Sequence, residues 1–274
     1  MHSLRCCQMQ LRRWPTSGRI GTLLVLLVVF TYSTTNKLII CALENNLKAT
    51  PWLYPHLFRD RYMIMCYLLC VFLLFCDAPF VDAHQISVIS RIGKRRWAKG
   101  MITYICVASL IFFLTIAVFY LIALLPVTQW SLSWGKMFDA LKDLNPYTGQ
   151  ISWYILKNYS PVAATGLTLF LTWQSGMFLG LLLFFCNLRW NRSVSIIVGG
   201  LFAFLDFSIY VMMADPVWIF YLSPTSWINL DIIGHAGFPP IWYCIFSFIL
   251  INVFLAWNCI RAGCHYEPRI QEDD

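Results

Sequence analysis

The sequence predicts an all-α integral membrane protein of about six transmembrane helices, N-in and C-in, with short amphipathic interfacial helices. Three observations carry this. Of the 274 residues, 59% are hydrophobic and only 12% charged, with a mean hydropathy of +0.65; a soluble domain of this size needs more polar residues to cover its core. The apolar residues gather in runs of about 20, the length a helix needs to cross a hydrocarbon layer about 30 Å thick. Lysine and arginine fall unevenly between the runs, as topology-setting charges do.

The spans are expected at about 20–41, 62–81, 101–127, 161–186, 194–214 and 241–260, forming one transmembrane domain over 1–274 with no separate soluble domain. The first contains a polar stretch, Thr31–Lys37, from which Lys37 can snorkel outward or which can pack inside the bundle. The second is interrupted by Asp77 and Pro79 near its inner end, and the third is long enough that it must tilt or protrude. Before the first span, Arg5, Arg12, Arg13 and Arg19 resemble the charged start of a signal peptide, but no small-residue cleavage site follows. The stretch therefore reads as a retained signal-anchor, with Leu4, Leu11 and Trp14 able to lay a short helix on the inner leaflet.

With the N-terminus inside, 13 of the 20 Lys and Arg residues lie inside, and the cluster at 91–99 weighs most. Both termini are then cytoplasmic, in a multi-pass protein of the plasma membrane. The net charge of +7 sits beside hydrophobic spans rather than on an isolated basic domain, so no nucleic-acid partner is expected. None of the 11 cysteines falls in the segments assigned outside, 43–60, 128–160 and 215–240, so no disulfide framework is expected. Cys6 and Cys7 read as reduced surface thiols, the rest mostly as small packing residues. No CxxC pair has zinc-like spacing, and no metal site is expected.

Two of the outside segments carry helical patterns. Lys136–Leu144 places Met137, Phe138, Leu141 and Leu144 on one face, and Asn145-Pro146 stops it. Ser223-Pro224 reads as an N-cap followed by proline at the first helical position, with Gly234 placed to end that helix. With Trp130, Trp134, Trp153, Trp218 and Trp227 nearby, both are expected to dock at the outer membrane interface, as aromatic anchors or as a gate.

Catalytic chemistry finds little support. No GxxxxGK[ST], HExxH or G-x-S-x-G occurs, and the glutamates Glu44, Glu267 and Glu272 lie outside the spans. The deep acid is Asp206, which is costly in lipid and needs a partner or a wet cavity. It reads either as lining a transport path or as structurally hydrogen-bonded to Asn252, Ser247 or Gln174. Between spans two and three, Ile86, Ile89 and Ile92 recur at helical spacing among polar neighbours. They predict a short amphipathic helix closed by Gly93, with Arg91, Lys94, Arg95, Arg96 and Lys99 meeting anionic headgroups or an acidic partner.

That segment, ISVISRIGKRRWAKGMITYI from Ile86, resembles the coupling segment of ABC-2-type exporter permeases. The run SPVAATGLTLFLTWQSGMFLGLLLFFCNLRWNRSVSIIVGG is also similar to such permeases, a long span turning through Asn187–Arg192 into the next. The resemblance implies the permease subunit of an ATP-driven exporter moving an amphipathic peptide, lipid or drug-like substrate. ATP and Mg would be bound by separate ATP-binding cassette ATPase subunits, with no cofactor in this chain. A second permease chain, the same or related, would complete the path, among membrane lipids. It implies coupling to the ATPase through 82–99, at Asp82, His84, Ile86, Ile89, Arg91, Lys94 and Arg95, and a substrate path or gate at Asp206, Trp134 and Trp227. The alternatives are a non-transporting sensor or immunity subunit, a secondary carrier with broken helices at the midplane, and a membrane-embedded enzyme.

Overall fold

The computed structural model describes residues 2–78, 83–138, 151–212 and 217–266, with the side chains of 2–4, 37, 41 and 83–86 outside the description. Helices dominate it: α1 (His2–Leu11), α2 (Gly18–Glu44), α3 (Tyr54–Leu57), α4 (Arg61–Phe75), α5 (Ala83–Ile92), α6 (Lys94–Leu124), α7 (Trp153–Asn158), α8 (Pro161–Arg189), α9 (Arg192–Val211), α10 (Ile219–Leu222) and α11 (Ile241–His265). Five of them, α2, α6, α8, α9 and α11, are long and apolar enough to cross a membrane, and α4 is a shorter apolar helix. The chain is a multi-pass, all-α membrane protein.

Contacts between distant residues show how the six apolar helices alternate. At one end, Asp77 after α4 pairs with Arg19 at the start of α2 and Arg192 at the start of α9. At the same end Trp97, early in α6, lies against Phe184 late in α8 and Tyr266 just after α11. At the other end Ala49 after α2 bridges Thr128 after α6, and Arg61 at the start of α4 pairs with Asp206 near the end of α9. The first is called here the basic end, because Arg91–Lys99 lie there, and the second the cap end. Both ends of the described chain are at the basic end.

Helix α8 is the axis: in its most apolar window 67% of the residues are buried, against 28% in α11 and in α9. Two glycines let its neighbours approach, since a Cβ on Gly176 would lie 2.7 Å from Phe113 of α6 and one on Gly180 would lie 2.7 Å from Ile105. The faces turned outward are apolar, with Val25, Val28 and Val29 on α2 and Trp242, Phe246, Leu250, Val253 and Trp257 on α11 exposed. A surface of that kind has lipid as its solvent.

Helices stand at all six expected positions with shifted boundaries, five of them long and apolar enough to cross a membrane and α4 shorter. The polar stretch of the first stays helical because Thr31, Thr34 and Thr35 each return the hydroxyl to the carbonyl one turn back, at 2.7 Å. The second, expected to reach Val81, ends at Phe75. It is opened by Asp60, whose carboxylate accepts from the Tyr62 amide at 2.9 Å. Asp77 is taken by its two arginines, and Asn187 donates to the Ala78 carbonyl. The expected amphipathic helix before Gly93 is α5, and Gly93 takes φ +83°, a left-handed conformation that suits glycine.

Two expectations differ from the structure, and a third falls largely outside the described residues. Cys6 and Cys7 are not surface thiols: α1 packs along α6 and buries both, and Trp14 Nε1 donates to the Tyr104 hydroxyl at 3.1 Å. The pattern of α1 fits a leaflet surface or a helix surface equally, and the helix surface wins. The helix from Ser223 to Gly234 is only a 3₁₀ turn, Ser226–Ile228. Ser223 gives its hydroxyl to a side-chain network rather than to a cap, and Gly234, at φ +87°, donates its amide to the Pro239 carbonyl. The Lys136–Leu144 helix is described only as far as Phe138; the rest lies outside the described residues.

Candidate functional site

Among the described residues, the cap end is built from chain that is mostly not helical and must satisfy its polar backbone in other ways. The Ala49 amide donates to the Val127 carbonyl at 2.9 Å, and the Gln129 amide to the Ala49 carbonyl at 2.7 Å. Side chains then tie the segments together. Thr50 Oγ1 donates to the Trp134 carbonyl at 2.7 Å, Trp52 Nε1 to the Ser131 carbonyl at 2.7 Å, and Trp134 Nε1 to the Tyr159 carbonyl at 2.9 Å.

Beneath this lies a polar cluster of His56, Arg59, Ser152 and Asp231. Ser152 caps α7 by accepting from the Ile155 amide at 3.1 Å, and its hydroxyl donates to Asp231. Arg59 Nε donates to the other oxygen of Asp231 at 3.1 Å. The Ser152 amide donates to His56 Nδ1 at 3.1 Å, which places the proton of the neutral imidazole on Nε2. Burial, aided by the Arg59 charge, pushes His56 down to about 3, so it is neutral at ordinary pH. Serine, histidine and aspartate meet here, yet the wiring is not that of a hydrolase. The serine hydroxyl goes straight to the carboxylate and the imidazole receives a backbone amide, so the histidine is not wired as a base for the would-be nucleophile.

The second cluster surrounds Asp206. Helix α9 rises about 21 Å from Arg192 to Asp206 at 1.5 Å per residue, so the acid sits in the cap-end third rather than at mid-depth. Its side chain is 2% exposed and that of Arg61 13%, and Arg61 Nη1 lies 2.9 Å from Asp206 Oδ1. Ser226 Oγ is 2.6 Å from the same Oδ1 and 2.8 Å from Ser223 Oγ, which is itself 3.2 Å from Thr225 Oγ1. With one hydroxyl proton, Ser226 donates to the carboxylate and accepts from Ser223. Asp206 Oδ2 is buried and has no hydrogen-bond partner among the described residues. The Arg61 guanidinium also stands 5.1 Å from the Tyr210 ring and 5.6 Å from the Phe220 ring.

Asp206 therefore takes none of its three expected partners. Asn252 Nδ2 instead donates to Gln174 Oε1 at 2.7 Å, joining α11 to α8. Trp227 belongs to the Asp206 neighbourhood: its Nε1 donates at 2.7 Å to the carbonyl of Phe220, whose ring faces Arg61. Trp134 does not, since its ring packs on His56 and Phe138. Arg61, Ser226, His56 and Asp231 are the residues that sequence reasoning missed. The available signal was the Arg59-Asp60-Arg61 triplet opening an apolar run, a dense charge group in a charge-poor chain.

At the basic end, Asp82 lies outside the described residues, and His84 and Ile86 are in α5 with undescribed side chains. Ile89 is turned into the bundle and buried, which leaves Ser87, Ser90, Arg91, Arg95, Arg96 and Lys99 exposed, with Lys94 half-buried. Among the described residues no group of three His, Cys, Asp or Glu side chains is placed to hold a metal ion.

Fold and sites define a multi-pass all-α membrane protein with a knitted cap at one end and a basic elbow at the other. Comparison with family models, curated proteins and solved structures finds no match.

Proposed function

We propose that the chain is the permease subunit of an ATP-driven exporter, coupled to separate ATP-binding cassette ATPase subunits through the basic elbow. The observation that carries the proposal is that elbow: amphipathic α5, the left-handed Gly93, and α6, which runs straight on for 31 residues to the cap. At 1.5 Å per residue α6 is about 46 Å long. A push on α5 is therefore delivered to the segment holding Ala49 and Trp134, because Ile89 and Trp97 lock the elbow into the core.

In this reading the basic end is cytoplasmic and the cap faces outward across the plasma membrane. That agrees with the clustering of Arg91, Arg95, Arg96 and Lys99. The exposed arginines dock an acidic groove on the ATPase, which binds ATP and Mg, and a second permease chain completes the path. The cargo is amphipathic, in keeping with an aromatic cap that holds Trp52, Trp134 and Trp227.

Affinity purification of the chain from its own host, followed by an ATPase assay, tests this. A co-purifying ATPase, released by Arg91→Glu with Arg95→Glu, is expected; purification without one, or binding that survives both substitutions, overturns it.

A further inference from the structure

Arg61 occupies a site whose parts are those of a cation receptor. Asp206 supplies a carboxylate, Ser226 orients it, and the faces of Tyr210 and Phe220 supply aromatic walls at 5.1 and 5.6 Å from the guanidinium carbon. Carboxylate and aromatic faces together bind organic cations when they are shielded from water.

The fit of Arg61 is incomplete. A guanidinium that matches a carboxylate presents two parallel N–H bonds to its two oxygens. Here Arg61 reaches Oδ1 alone, at 2.9 Å, and Oδ2 is buried without a partner among the described residues. A buried carboxylate oxygen left unbonded costs free energy that a better-placed cation recovers. The site also has a door: Tyr210 of α9 and Tyr62 of α4 are each more than half exposed, and Tyr62 packs on Phe207 at 5.0 Å beside Asp206. Exposed aromatic rings on a helix pair let an amphipathic molecule arrive from the lipid side with its charged head leading.

We propose that the Asp206 pocket is a binding site for the guanidinium or ammonium head of an amphipathic cation, and that Arg61 is an internal competitor holding it closed. The cation displaces Arg61, takes both oxygens of Asp206, and lays its apolar tail between α4 and α9. Naming that cation as the cargo rests on the exporter reading; binding itself needs no ATPase.

The test is binding of octylguanidinium to the purified full chain in phosphatidylcholine nanodiscs, read by calorimetry, with octylurea as the neutral isostere that reports lipid partition alone. Arg61→Ala removes the competitor and is expected to tighten binding at least tenfold, Arg61→Lys to tighten it by less, and Asp206→Asn to reduce octylguanidinium to the octylurea level. Should Arg61→Ala not fold, Arg61→Lys carries the comparison. Arginine variants that bind no more tightly than wild type, or an Asp206→Asn variant that binds as well, overturn the assignment. Loss of ATPase co-purification with this pattern intact would remove the exporter reading and leave the site.

Discussion

The buried pair of Arg61 and Asp206 permits a double-mutant cycle whose size follows from the structure. At 2.9 Å and an effective dielectric of about 20, the attraction is roughly 6 kcal/mol before desolvation. Desolvation takes back much of that, so the pair contributes little compared with well-packed apolar residues. Removal of one partner is different. Arg61→Leu leaves Asp206 buried with Ser226 as its one described hydrogen-bond donor, and the expected loss is about 3–5 kcal/mol. Asp206→Leu strands the guanidinium against Tyr210 and Phe220 at a similar cost. The double variant Arg61→Leu/Asp206→Leu is expected within about 1–2 kcal/mol of wild type, because Ser226 keeps its bond to Ser223. The assay is reversible unfolding in mixed micelles titrated with dodecyl sulfate, followed by tryptophan fluorescence. Single variants that each lose under about 1 kcal/mol, and that add in the double, would refute the reasoning. Water would then already reach the pair.

Other predictions concern the cap, the thiols and the helix axis. His56 is held neutral in the folded chain, at about 3, whereas unfolded histidine titrates near 6.5. Its contribution is thus full above about pH 6.5 and falls as pH drops toward 3, where the folded imidazole takes a proton. Unfolding measured across that window is expected to lose several kcal/mol, and His56→Phe should flatten the dependence; an unchanged slope refutes it. Burial raises the thiols of Cys6 and Cys7 while Cys264 is exposed, so peptide mapping after brief maleimide treatment should find Cys264 modified well ahead of both. Gly180→Leu drives a side chain into Ile105 and Phe75 and is expected to cost about 1–3 kcal/mol or more; Gly166→Leu, with open space around it, should be near neutral in the same unfolding assay. A cysteine replacing Arg95 should react with an impermeant reagent only from the cytoplasmic side, and labelling of intact cells would reverse the proposed orientation.

The five long apolar helices were legible because a run of about twenty apolar residues has one stable conformation in lipid, whatever packs around it. The elbow was legible too, since Ile86, Ile89 and Ile92 mark a helix face and Gly93 marks its end. The cap was not. Ser223-Pro224 carries a local helix signal, but its hydroxyl is worth more in the chain that runs through Ser226 to Asp206. The partner of Asp206 was hidden for a plainer reason. Arg61 stands 145 residues away, and the Arg59-Asp60-Arg61 triplet marks a dense charge group without telling which of its charges turns inward and which faces headgroups. The burial of Cys6 and Cys7 was equally invisible, because α1 is amphipathic toward any apolar surface.

Asp77 has a consequence for biosynthesis. Its carboxylate holds Arg19 and Arg192 together, so one end of the junction is made early and the other more than a hundred residues later. Until the ribosome has delivered residue 192, Asp77 has Arg19 but not yet Arg192 as a partner. The seal at the basic end of the bundle is therefore completed late in translation, once α9 has begun to emerge.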